Sequence, residues 1–213
     1  MKRLLRRAVS ALFLGAVLLT ACASSAPSIH VQERRVSLRV SKTYHADMAF
    51  NQMEREQIIR AINKLNDQAN GFVFVSVIFD LNWDSGTIDH LEFMEKNADQ
   101  IVKIHSSAPI VSEMDKGKTE GTTIGYCKVD FKNPNVPTKI YIIYDRIHTK
   151  DSYMHVVLHE ILHSIRLHHV DDKKAILNWS VNSARTSVCM NMNDMKELCR
   201  VYRCDPTALN YCD

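Results

Sequence analysis

Residues 159–169 read His-Glu-Ile-Leu-His-Ser-Ile-Arg-Leu-His-His and constrain this chain more than any other stretch. Met154, Leu158, Ile161, Leu162 and Ile165 recur at helical spacing around them, so they predict a helix with one apolar face, opening near Asp151 as its N-cap. On such a helix His159 and His163 lie one turn apart on one face, where two imidazoles can share a metal ion. Glu160 projects beside the first of them. A catalytic zinc takes three protein ligands and keeps a fourth position for water, so a third ligand is required. The candidate is His169. An unbroken helix would carry it away from the pair, so the helix must stop near Ile165–Leu167 and the chain must turn back. Zinc lowers the pKa of a bound water, and Glu160 is placed to act as general base and then general acid. His168 competes with His169 as ligand, but the spacing favours His169. His155, one turn before His159, reads as a surface group. Glu197, on a later helix, is another candidate for the third ligand.

With these residues in place, the chain resembles the metzincin zinc peptidases and, among them, the matrixin-like ones. Their pattern is His-Glu-x-x-His-x-x-Gly-x-x-His, followed by a turn that carries a methionine beneath the metal. His159, Glu160, His163 and His169 match it. The resemblance implies Zn2+ held by the three histidines, with Glu160 as the catalytic residue. It covers roughly residues 30–203, since Asp172, Ala175, Ile176 and a helix over Asp194–Tyr202 fall at about the same spacing. Two positions depart from the pattern. Arg166 stands where the family has glycine, at a point where the backbone commonly turns with φ > 0. Arginine there either accepts a strain of about 1 kcal/mol or lets the helix run on and displaces His169. Leu177 falls at the methionine-turn position, and its similar volume would keep an apolar floor under the metal. Met190 and Met192 are later alternatives.

The first residues have the form of an export signal. Lys2, Arg3, Arg6 and Arg7 precede an apolar run from Ala8 to Leu19, and Leu19-Thr20-Ala21-Cys22 closes it. The ending resembles a bacterial lipobox, which implies a lipoprotein signal peptide over 1–21, lipidation of Cys22 and a tether over 22–29. The domain would then occupy 30–213. Such a chain would be exported and anchored by its lipid to the bacterial cell envelope, in the outer membrane of a Gram-negative host. Removing those four from 27 basic residues leaves 23 against 24 acidic ones, so the formal charge of +3 gives no electrostatic case for nucleic acid. Cys127, Cys189, Cys199, Cys204 and Cys212 remain after Cys22, four of them crowded near the C-terminus, which predicts a disulfide cluster there with its pairing open. No later segment is apolar and long enough to span a bilayer, and no acidic loop has a calcium-binding pattern.

The remaining elements follow from periodicity. Ile29–Val40 alternates and reads as a strand, Met48–Ala69 as an amphipathic helix, and Phe72–Phe79 as a strand buried on both faces. Asp89–Ile104 reads as a second helix and Ser106–Gly121 as irregular. Thr122–Phe131 and Lys139–Tyr144 read as strands, the first an edge that could align a peptide by main-chain pairing, an inference from the family layout. The expected fold is α+β, a metzincin-like zinc peptidase domain with a mixed twisted sheet, an active-site helix and a C-terminal helix. The expected function is zinc-dependent endopeptidase action on extracytoplasmic proteins. The alternative is a catalytically impaired zinc-binding lipoprotein that keeps the peptidase fold as a binding or structural module.

Overall fold

The computed structural model describes residues 40–82, 94–116, 122–179 and 188–212, all within one compact unit, Val36–Asp213. The expected signal segment, Cys22 and the tether lie outside the described residues. No helix among the described residues is long and apolar enough to cross a membrane.

The fold is α+β. Its centre is a mixed sheet of five strands, β1 (Val40–Asp47), β2 (Val73–Leu81), β3 (Asp99–Ile104), β4 (Gly125–Lys128) and β5 (Lys139–Ile143), in the order β2-β1-β3-β5-β4. The first four in that order run parallel, and β4 pairs antiparallel with β5, placing Gly125 opposite Ile142 and Cys127 opposite Ile140. Helix α1 (Gln52–Gln68) packs on β2. Helix α3 (Lys150–Ser164) packs on α1, β4 and β5. The core lies between sheet and helices. Tyr44, Val73, Val75, Ile101, Ile140 and Ile142 from the sheet meet Ile58, Leu65, Leu158, Ile161 and Leu162 from the helices. Short α2 (Pro109–Met114) precedes β4 in the chain, and C-terminal α4 (Met192–Tyr202) follows α3.

Local chemistry starts the helices. Asn51 caps α1, its side chain accepting from the Glu54 amide while Glu54 accepts from the Asn51 amide. Asn191 and Asp194 make the same box at α4. Thr149, rather than the expected Asp151, caps α3 by accepting from the Ser152 amide.

The strand expected over Ile29–Val40 lies, except for Val40 itself, outside the described residues. Three other sequence expectations change. The helix expected over Asp89–Ile104 is helical at 94–97 and then becomes β3, because Gln100–Ile104 fills the ladder between β1 and β5. The stretch read as irregular contains α2. The strand read as buried on both faces lies at the sheet edge, with Val73 and Val75 inward and Phe74 and Ile78 about half exposed (52% and 49%).

The C-terminal cysteines pair as Cys189–Cys212 and Cys199–Cys204, and Cys127 is unbridged. Gln68, at the end of α1, ties this region down. Its amide donates to the carbonyls of Met190 and Asn210 and accepts from the Met190 N–H.

Candidate metal centre

The site depends on how α3 ends. After Ser164 the Arg166 N–H donates to the His163 carbonyl at 2.7 Å, and the Leu167 N–H donates back to the Leu162 carbonyl at 3.1 Å. This is a complete Schellman closure, and its apolar pair, Leu162 and Leu167, is fully buried. The closure requires a left-handed residue at Arg166, which has φ +70°. The arginine therefore accepts the glycine conformation, at about 1 kcal/mol. The helix does not run on, and His169 comes back toward the pair.

Three imidazoles converge there. The Nε2 atoms of His159 and His163 are 2.9 Å apart, and those of His163 and His169 are 3.1 Å apart. The group His159, His163 and His169 brings its ligand atoms within 4.8 Å of one another. Those short contacts are not hydrogen bonds. His159 Nδ1 lies 2.6 Å from the Ile176 carbonyl, and His163 Nδ1 lies 2.8 Å from the Leu167 carbonyl. A carbonyl only accepts, so each Nδ1 carries the proton and each Nε2 presents a lone pair. Lone pairs aimed at one point repel unless a cation lies between them. Zinc bonds of 2.0–2.1 Å in a tetrahedron would separate the nitrogens by roughly 3.3 Å, close to the spacing found. The residues therefore fit a metal ion, and an all-imidazole donor set fits zinc.

Protonation works in the same direction. Burial, with the neighbouring imidazoles adding to it, pushes His159 down to about 3 and His163 down to about 4. Burial and His168 also lower His169. Neutral imidazole, the metal-binding form, is thus the resting state at neutral pH.

Below the histidines, one peptide group links the site to α4. The Ile176 carbonyl accepts from the His159 Nδ1–H, and the Leu177 N–H of the same peptide donates to Asp194 at 2.9 Å. Asp194 also accepts from the amides of Ile176 at 3.0 Å and Asn191 at 2.9 Å. Burial raises the Asp194 carboxyl above the ordinary range, against the pull of these donors. Leu177, expected at the methionine-turn position, is fully buried.

Glu160 is buried on α3 and faces β4. A Cβ added at Gly125 would fall 2.7 Å from Val156 Cγ1 and 2.8 Å from Glu160 Oε1, so only glycine lets the strand approach this closely. Gly125 and Asp194 were not singled out from the sequence. A glycine inside a strand run is a usable signal of close approach; nothing local marks an aspartate whose partners lie 17 and 18 residues away.

The other candidates separate cleanly. His155 is buried rather than on the surface, its ring stacked 6.4 Å from that of His159. Glu197 is no part of the histidine group: it accepts from the His168 amide at 2.9 Å and pairs with Arg200 at 2.6 Å. His168 stacks on Phe131, with ring centroids 4.8 Å apart, instead of joining the cluster. Met190 is buried where Gln68 binds its backbone, and Met192 opens α4.

No protein-family model matches the chain, and no curated protein does. Among solved structures, the chain is similar to metalloproteinase-II from Bacteroides fragilis, at 15% identity and a TM-score of 0.40. That likeness covers 67% of this chain and 47% of the other, so this chain spans about half the length of that protein. It is also similar to archaemetzincin from Methanopyrus kandleri, at 14% identity and a TM-score of 0.41, covering 84% of this chain and 91% of that one. The reading of the site rests on its own residues.

Proposed function

We propose that this chain is a zinc-dependent endopeptidase of metzincin, matrixin-like type, acting on extracytoplasmic proteins from a lipid anchor at Cys22. The observation that carries the reading is the set of three imidazoles whose lone pairs meet while the protons of His159 and His163 are held by backbone carbonyls. His159, His163 and His169 would hold the zinc ion, which would supply a Lewis acid to polarise a carbonyl and acidify water. Glu160 supplies the carboxylate that takes the proton of the attacking water and passes it to the leaving amine. The Ile176 and Leu167 carbonyls fix the tautomer and ring orientation of His159 and His163. An extended peptide would lie along the outer edge of β4, which pairs only with β5 among the described residues. Glu160 faces that strand at Gly125.

An impaired relative would follow if Arg166 let the helix run on and displaced His169. The turn at φ +70° lets arginine serve where glycine would, which favours the enzyme. The test is cleavage of an unstructured protein such as casein by the zinc-replete chain. Cleavage should stop on treatment with a chelator and return with added zinc. Chelator-resistant cleavage, or none at stoichiometric zinc, overturns the proposal.

A further inference from the structure

Arg166 does more than occupy a left-handed turn. Its guanidinium extends to the segment that follows β4, where Nη2 donates to the Asp130 carbonyl at 2.9 Å and Nη1 reaches the Phe131 carbonyl at 3.5 Å. The receiving segment is itself ordered. The Asp130 carboxylate accepts from the amides of Lys132 at 2.8 Å and Asn133 at 3.0 Å. A second contact runs parallel to the first. The Phe131 ring stacks nearly flat on His168, at 14° between planes. The far side of the turn is held as well, because the His168 N–H donates to Glu197, which Arg200 pins on α4. The next residue is His169. The turn that presents the third imidazole and the loop that continues the edge strand are thus joined by one arginine and one ring stack.

A guanidinium suits this task, since its fork addresses two adjacent carbonyls while an ammonium acts as a single point. Glycine would satisfy the backbone better but leave the loop unheld. We propose that Arg166 is a positioning residue: by clamping Asp130–Phe131 to the His169 turn, it fixes the segment that continues the edge strand β4 and so sets how tightly an extended peptide is held. The substrate part of this inference rests on the peptidase reading; the clamp itself does not.

Hydrogen exchange of the zinc-loaded chain, with steady-state kinetics on an unstructured peptide, tests both parts. Arg166→Gly suits the φ of the turn and should fold. Exchange at residues 130–133 should rise about tenfold, with residues 156–163 unchanged and zinc retained. KM should rise about five- to tenfold while kcat stays within about twofold, the signature of lost binding rather than lost chemistry. Phe131→Ala should shift both readouts the same way, and Arg166→Lys should recover part of each. Unchanged exchange in Arg166→Gly overturns the clamp. Raised exchange with a lowered kcat and unchanged KM overturns the positioning role. A wild type that cleaves nothing would remove the peptidase reading, and the exchange comparison would still decide the clamp.

Discussion

Glu160→Gln should leave zinc binding intact and reduce peptide cleavage by about 10³-fold or more, which is about 4 kcal/mol of lost barrier reduction. The geometry separates the two effects. The three imidazoles hold the metal without help from Glu160, which is absent from the converging group. Glutamine has nearly the same shape, so the close approach of Gly125 to α3 survives. What disappears is the ability to accept a proton. Glu160→Ala would be a poorer test, because it also empties the space beside Gly125 and Val156. Paired zinc analysis and casein cleavage check the outcome. Full activity in Glu160→Gln would mean that another group moves the proton.

The second large effect falls outside the histidines. Asp194→Ala should destabilise the fold by about 3–5 kcal/mol, because it strands two buried N–H donors, those of Ile176 and Leu177, and the half-buried one of Asn191. For a chain of this size that lowers the midpoint of thermal unfolding by about 6–20 °C. The change should also weaken zinc binding. The peptide between Ile176 and Leu177 joins Asp194 to His159, so releasing one end loosens the carbonyl that orients the imidazole. Calorimetry of the metal-free and zinc-loaded forms separates the two losses. An unfolding midpoint within about 2 °C of wild type would show that the buried carboxylate does not anchor this turn.

The reason these residues matter also explains which of them the sequence could reveal. The histidine pair was legible because ligand spacing and helical periodicity are local, and so was the need for a chain reversal before His169. How Arg166 would meet that need was open: the sequence allowed strain or a longer helix, and the burial of Leu162 and Leu167 under the closure is what decides for the turn. β3 was misread because Gln100–Ile104 owes its conformation to the ladders on either side, which no window of sequence contains. His155 was placed on the surface for the same reason, since burial under packed elements is a tertiary fact. The crowding of cysteines predicted bridges, but pairing Cys189 with Cys212 requires knowing that Gln68 draws both ends together. Asp194 had no local mark at all. It reads in sequence as an ordinary helix-start acid, and its contacts beyond that start are with a distant turn.

The central claim is that three imidazoles, two of them with tautomers fixed by backbone carbonyls, hold one metal ion. The most direct measurement is elemental analysis of the purified chain after zinc-replete expression, alongside His169→Ala and His163→Ala. The account predicts about one zinc per chain in wild type, about a tenth or less in either histidine variant after dialysis, and most of the zinc retained in Glu197→Ala, which loosens the turn but removes no ligand. Wild type without stoichiometric zinc, or a full complement retained by His163→Ala, would contradict it.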